Sequence, residues 1–323
     1  MKLYLIIATL CATAHHFSQA TQIPQQREKK QHASKPINHK LDKLLFKAAE
    51  ESNLQTIQKL FAGKAIPDVN AKNDYSCTPL IQAAFKGYTD IVHELISAHA
   101  NVNAKDKSCH TALILAASKG HIAIVQALIA AGANIEAKNM CGETALMEAT
   151  MRDHAAPVQA LIAAGADIEA TDNGGNTALT TAAYINRDAI LQVLIAAGAN
   201  IEVKNNNGYT GLMGAAMYNH LDAVYVLIAA GANPDIRNEK DGNKTAHDYA
   251  KDKDAYDKAV AAGLAERKAY LARAKKIITE EKQLIPDISE IITEYAYGPL
   301  PIDFPESKVQ EIETKEDAAH KIT

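Results

Sequence analysis

The sequence predicts an all-α repeat solenoid followed by a C-terminal helical segment. Three observations carry that prediction. Threonine returns at Thr78, Thr111, Thr144, Thr177 and Thr210, a spacing of 33 residues held through five copies. Each copy opens with a similar block (TPLIQAAFKG, TALILAASKG, TALMEATMRD, TALTTAAYIN, TGLMGAAMYN) and leads to a second apolar stretch of the type IVQALIAAGANIEAK. Finally, apolar residues make up 47% of the 323, yet there are only 5 Phe, 12 Tyr and no Trp, so much of the apolar content is alanine. Alanine suits thin helices packed at close range better than one thick core.

From the N-terminus, Lys2 supplies a positive start, Leu3 to Ala14 an apolar run ended by His15 and His16, and Ser18-Gln19-Ala20 a small-x-small site. That layout predicts a secretory signal peptide over 1–20, cut after Ala20. An uncleaved anchor is the alternative, but the run is short of the ~20 residues a bilayer needs. Leu10 is too bulky before Cys11 for a lipoprotein site. The chain is therefore expected to be exported, to the periplasm or beyond the cell, and no later run gives the mature protein a membrane span. Residues 21–40 are polar, basic and poor in apolar groups, which predicts a disordered linker.

The repeat array is expected over 41–250. It holds an opening repeat before Thr78, five full repeats, and a partial closing repeat around Thr245. Each Thr begins a first helix, where its hydroxyl can satisfy unpaired backbone N–H groups. The pairs Ala83-Ala84, Ala116-Ala117, Ala182-Ala183 and Ala215-Ala216 allow close helix approach, and Leu128-Ile129 with its equivalents is expected on the buried face of the second helix. Gly132, Gly165, Gly198 and Gly231 end that helix in a left-handed conformation; His99 stands in the same place and should be strained. Pro157 falls in the first turn of its helix, where a missing N–H is tolerated.

This pattern resembles the ankyrin repeat, which implies helix-turn-helix units joined by β-hairpin loops. The family's T-P-L-H is not kept, because Ile81, Ile114, Met147, Thr180 and Met213 take the His position. The glycine two before the Thr is present as Gly142, Gly175 and Gly208 but replaced by Ser76 and Cys109, so the first two tips are expected to be less regular. The His that opens the second helix is present as His121, His154 and His220 and is read as structural.

The resemblance further implies a concave surface, lined by the hairpin tips and the outward face of the first helices, that binds a protein. Two ladders fall on it: Phe85, Ser118, Met151, Tyr184, Met217, and Lys86, Lys119, Arg152, Ile185, Tyr218. Exposed Tyr, Met and Arg are favoured in interfaces. The expected contact set is Met151, Arg152, Tyr184, Ile185, Met217 and Tyr218, with Phe85, Lys86 and Lys119 at the basic end. Tyr75, His110 and Tyr209 join them from the tips. A monomer that engages a protein partner, which includes a protein of a host cell, is the expectation. A net charge of −4 gives no field for nucleic acid.

After the array, 251–298 is expected to be helical. Leu264, Tyr270, Leu271, Ala274 and Ile278 form a loose stripe, and Ile288, Ile291, Ile292 and Tyr295 an apolar face after Pro286. Ile285-Pro286-Asp287-Ile288 with Ile292 and Tyr295 resembles the opening of an F-box-type helix, which implies recruitment of a ubiquitin-ligase adaptor; a cap over the last repeat is the alternative. Residues 299–323, with three prolines and an excess of acid, are expected to be a disordered tail.

The sequence holds no nucleotide-binding, nucleophile-elbow or zinc-protease motif, so neither catalytic residues nor a cofactor is expected. Cys77, Cys109 and Cys141 have no zinc spacing, are odd in number, and are expected to be exposed thiols without metal. Asp172 to Asn176 lacks the spaced ligands and closing Glu of a calcium loop and is read as a hairpin tip.

Overall fold

The computed structural model describes residues 40–63 and 66–281, with side chains through Arg273. The expected signal peptide, the linker up to residue 39, the F-box-like string and the tail lie outside the described residues.

The described chain is an array of antiparallel helix pairs. The opening pair is α1 (Lys40–Glu50) and α2 (Leu54–Phe61). Five full pairs follow: α3 (Pro79–Lys86) with α4 (Thr89–Ser97), α5 (Ala112–Ser118) with α6 (Ile122–Ala130), and α7 (Ala145–Met151) with α8 (Ala155–Ala163). Next come α9 (Ala178–Tyr184) with α10 (Asp188–Ala196), and α11 (Gly211–Tyr218) with α12 (Leu221–Ala230). A short α13 (Ala246–Tyr249) and a long α14 (Lys253–Glu281) close the array. Helices this short do not hold in water alone, so packing between repeats must supply their stability.

The periodic threonines do what their spacing predicts. Oγ1 of Thr78, Thr111, Thr144, Thr177 and Thr210 accepts the N–H three residues on at 3.2–3.4 Å, and each Thr is buried. Each such cap contributes about 1 kcal/mol. Where the family has histidine, Ile81, Ile114, Met147 and Met213 are buried as apolar side chains. Thr180 instead returns the cap, its Oγ1 accepting the Thr177 N–H at 2.8 Å.

The alanine pairs are buried throughout. In the third repeat Thr150 replaces the second alanine; it is fully buried and its hydroxyl has no hydrogen-bond partner. The Leu-Ile pair of the second helix divides more finely than expected. Leu128 is fully buried but Ile129 only partly so, while Ile195 and Ile228 near the C-terminal end are covered completely.

Adjacent repeats are also joined in polar ladders. Asn70, Asn103, Glu136, Glu169 and Glu202 each accept the N–H of a residue 31 positions later at 2.7–2.9 Å. Lys72, Lys105 and Lys138 each reach a carbonyl 33 residues on. Thr171 interrupts that row before Lys204 resumes it onto Arg237 O at 2.9 Å.

Two expectations about the tips are corrected. The first two tips are as regular as the later ones: Ser76 and Cys109 adopt φ of 58° and 62°, and Ser76 N and Cys109 N bond back to Asn73 O and Asp106 O as Gly142 N bonds to Asn139 O. The turn is imposed by the Asx hydrogen bonds and the neighbouring tips, so the missing glycine costs strain rather than shape. His99, at φ 61°, is held likewise. The hairpins are tight turns, and no strand forms among the described residues; an isolated antiparallel bridge joins Asn238 and Lys244.

The thiols are not uniformly exposed. Cys77 and Cys109 are half-buried and Cys141 is exposed, all three free. Burial, with Asp106 and Glu50 nearby, pushes the Cys77 thiol up to about 12.

The stripe expected on the C-terminal helix is divided, with Tyr270 half-buried and its leucines open. Leu264 and Leu271 are 48% and 40% exposed. The packed side of α14 is Tyr256, Val260 and Gly263 instead, with Tyr256 fully covered. Gly263 meets Ile228 and the carbonyl of Tyr225 so closely that a Cβ would stand 2.9 Å from both. Backbone proximity, not side-chain size, set the seam. Ala274 and Ile278 lie beyond the described side chains.

Candidate protein-binding face

Each hairpin tip is built around one Asx residue. At Asn73, Asp106, Asn139, Asp172 and Asn205, one side-chain oxygen accepts the N–H groups two and four residues on, at 2.8–3.0 Å. Successive tips are then tied by backbone bonds: Lys107 N to Tyr75 O, Met140 N to Ser108 O, Asn173 N to Cys141 O and Asn206 N to Gly174 O, at 2.9–3.0 Å. These bonds fix the tips at a constant offset from the first helices, and the face between them is where unpacked side chains collect.

At the N-terminal end those side chains satisfy one another. Lys119 Nζ sits 4.7 Å over the Phe85 ring. His110 Nδ1 lies 3.2 Å from Asp106 Oδ2, making it a brace of its own tip. Ser118 Oγ donates to Glu148 Oε2 at 2.8 Å, and Asn139 Nδ2 donates to Glu143 Oε2 at 2.7 Å and reaches Glu148 Oε1 at 3.4 Å. Glu148 is a buried carboxylate held by these donors.

The C-terminal half is different. Tyr184 lies across the next repeat, its ring against Gly214, where a Cβ would stand 2.6 Å from the ring. The same position is Gln82, Leu115, Glu148 and Thr181 in the other repeats, so Gly214 makes the space the tyrosine occupies. The Tyr184 and Tyr218 rings are tilted at 5.9 Å, and Tyr218 is 54% exposed. Burial, then the neighbouring phenols of Tyr209 and Tyr218, pushes the Tyr184 hydroxyl up to about 12, against a hydrogen bond from Asn205.

These rings border a pocket of about 410 Å³. Met151, Met217 and Thr181 line it from the first helices, and Asp172, Asn176, Asn205, Asn207 and Tyr209 from the tips. Asn205 Nδ2 donates to Asn176 Oδ1 at 2.9 Å, locking two tips together along its wall. Tyr209 packs against Tyr249 at 5.2 Å, and the Tyr249 hydroxyl donates to Asp241 at 2.8 Å.

Of the expected contact residues, Met151, Tyr184, Met217, Tyr218 and Tyr209 come together in this pocket. Arg152 and Ile185 are exposed outside it, as are Lys86 and Lys119 at the other end with Phe85. Tyr75 stands alone on its tip, 74% exposed. Sequence reading missed Asp172, Asn176, Asn205 and Asn207, which look like ordinary turn residues, and Met140, a tip side chain 66% exposed. The signal that could have found the pocket is Gly214, the break in an otherwise filled column.

Comparison with known proteins is consistent with this geometry. The family described as ankyrin repeats (3 copies) matches residues 44–139, 113–205, 146–238 and 181–261, together about two thirds of the chain. Ankyrin repeat domain-containing protein 49 of Mus musculus is 44% identical over 54 residues, 17% of this chain and 22% of that protein. Its Bos taurus counterpart is 42% identical over 59 residues, 18% of this chain and 24% of that protein. The chain thus spans about a quarter of the length of these relatives. The crystal structure of the human ASB11 ankyrin repeat domain superposes with a TM-score of 0.60 at 24% identity, covering 68% of this chain and 96% of that one. At that identity the likeness is one of fold.

Proposed function

The chain belongs to the ankyrin-repeat family, a family of protein–protein interaction modules, and we propose that it binds its protein partner through the C-terminal half of the tip and first-helix face. The observation that carries this is the pocket of about 410 Å³ bordered by Tyr184 and Tyr218, with Met151 and Met217 in its lining. Aromatic and methionine side chains left partly open in a preformed cavity are what interface anchors use. Arg152 and Ile185 extend the surface beyond the pocket.

The test is a double substitution, Tyr184→Ala with Tyr218→Ala. A partner captured by the mature chain should be lost by the variant, a fall of at least ~100-fold in affinity if both rings are anchors, compared at equal folded fraction because the Tyr184 ring packs on Gly214 and its removal also lowers the unfolding midpoint. Undiminished capture would move the site elsewhere on the array.

Export is the second part of the proposal. The charged start, apolar run and small-x-small site of residues 1–20 support a cleaved signal, which puts the mature chain in the periplasm or outside the cell, within reach of a host protein. Fractionation with N-terminal sequencing of the mature protein checks it, and a chain that still begins at Met1 in the cytoplasm would refute it. A further role, as an adaptor that recruits a ubiquitin ligase, is supported only by the string Ile285-Pro286-Asp287-Ile288. Truncation before residue 282 separates it from plain partner binding, because only adaptor function would lose ligase components while keeping the partner.

A further inference from the structure

Asp172 carries a charge that its own turn does not require. Its Oδ1 accepts the N–H of Gly174 and Asn176, both at 2.8 Å. In three other tips the same two bonds are accepted by an amide oxygen: by Asn73 from Tyr75 and Cys77, by Asn139 from Cys141 and Glu143, and by Asn205 from Asn207 and Tyr209. Asparagine therefore suffices for the fold at this position. Where the array uses another aspartate there, at Asp106, the second oxygen is matched by His110 at 3.2 Å. At Asp172 the second oxygen, Oδ2, receives only the neutral amide of Asn176, at 3.0 Å. A carboxylate oxygen has room for about two donors, so one direction stays open.

That carboxylate is the one charged group among the residues lining the pocket, and no cation lines it. The rest of the wall offers acceptors and π faces: the Tyr184 and Tyr218 rings at 5.9 Å and the amides of Asn205 and Asn207. A carboxylate beside two tyrosine rings complements a side chain that is flat, cationic and rich in donors. We propose that Asp172 and the Tyr184–Tyr218 pair receive an arginine side chain of the partner. The guanidinium stacks on a ring and donates to Oδ2 in one placement, whereas a lysine ammonium is a compact, strongly hydrated point charge that gains less from the flat wall. A carboxylate or phosphate on the partner is disfavoured by the same uncompensated charge. The inference rests on the reading that this face binds the partner.

The test is selection of a random peptide library on the full mature chain. The selected peptides are then titrated against three proteins: wild type, Asp172→Asn, and the double variant Tyr184→Ala with Tyr218→Ala. Asp172→Asn keeps the two backbone bonds that shape the turn and loses only the side-chain contact of Asn176 Nδ2 with Oδ2, so its circular dichroism should match wild type and its unfolding midpoint should fall little. The expected result is an arginine at a fixed position in the selected peptides. Its replacement by citrulline, neutral and of nearly the same shape, and Asp172→Asn should each weaken binding ~10-fold or more, as loss of a charge-assisted pair does. The two changes together should weaken it little further.

Peptides that need Tyr184 and Tyr218 but carry no fixed arginine, or that bind Asp172→Asn equally well, overturn the arginine inference and leave the binding face standing. A fixed lysine insensitive to citrulline-type neutral replacement overturns it too. Peptides indifferent to all three positions, or a selection that yields no binder, overturn both.

Discussion

The two halves of the tip and first-helix face are built on one repeated backbone, yet they dispose of their polar and aromatic groups in opposite ways. From Phe85 to Glu148 the groups are spent on each other: cation on ring, imidazole on carboxylate, hydroxyl and amide on a buried glutamate. From Met151 to Tyr218 the amides and rings make some contacts of their own, Asn205 with Asn176 and Tyr218 with His220, but they border a cavity and the Asp172 charge faces no cation there. Exposure alone does not separate these regions, since Phe85 and Ile185 are both 37% exposed. Whether a group has already found its partner within the chain does. Substitutions in the first half should therefore act on stability, and substitutions in the second on binding.

The largest effect that can break this contrast is at Glu148. Glu148→Ala strips the buried acceptor from Ser118 and the longer of the two bonds from Asn139, which keeps Glu143, at a cost of about 1–3 kcal/mol. Urea unfolding should show that loss while partner affinity, corrected for the folded fraction, stays near wild type. A variant as stable as wild type but weak in binding would mean that Glu148 belongs to the recognition surface, and the division between halves would fail.

Gly214→Ala sharpens the contrast from the other side. The added Cβ would stand 2.6 Å from the Tyr184 ring, so the ring must swing toward the cavity or the helices must part. Alanine gains up to ~1 kcal/mol of helix propensity over glycine, while overpacking costs ~1–3 kcal/mol. The two nearly cancel, and the net change in stability should be small. Binding should fall ~10-fold, the scale of losing one anchor contact. A large loss of stability with unaltered binding would show that Gly214 serves only helix packing.

Most of the scaffold was legible in the sequence because its causes are local and repeated. A threonine at fixed spacing announces a cap, paired alanines announce close approach, and both act through neighbours a few residues away or one repeat on. The pocket was legible only in part, for two reasons. Tyr184 and Tyr218 could be read as exposed aromatics, but the pairing of Tyr184 with Gly214 runs between repeats, and an absent side chain leaves no pattern to find. Asp172 and Asn205 were hidden by doing an ordinary turn job with one oxygen, while the Asp172 charge and the Asn205 amide nitrogen matter for the wall between tips. The C-terminal seam was not legible for a related reason: apolar spacing gives only a loose stripe through Leu264 and Leu271, whereas the close contact is made at Gly263, which lets α14 come near.

A smaller effect tests how closed the Tyr184 site is in the free protein. A phenol in water loses its proton near pH ~10, and burial raises Tyr184 to about 12. A raised folded value means that the contribution to stability is intact below the unfolded value and is lost as pH climbs through the folded one. The array should therefore weaken between about pH 10 and about 12, and Tyr184→Phe should weaken less over that interval. Difference absorbance of the tyrosinate band, wild type minus Tyr184→Phe, should isolate a late-titrating phenol. A midpoint near pH ~10 for that component would mean the ring is solvated, and the cavity more open than its burial indicates.

The smallest effect lies at the seam between the halves. Thr150 stands where the other four full repeats have Ala84, Ala117, Ala183 and Ala216, fully buried and with its hydroxyl unpartnered. Burying a hydroxyl without a hydrogen bond is costly, and truncating Thr150 to the alanine of the other repeats removes that cost while taking away two side-chain atoms, the hydroxyl and one methyl. The first term outweighs the second, because the alanine version of this contact already packs in four repeats of the same chain. Thr150→Ala should raise stability by up to about 1 kcal/mol, read as a higher urea midpoint at constant slope, with binding unaltered. A loss of stability would show that the hydroxyl is satisfied after all, by its own helix or by water. A change in binding would instead extend the recognition surface beneath Met151 and into the half of the face argued to be closed.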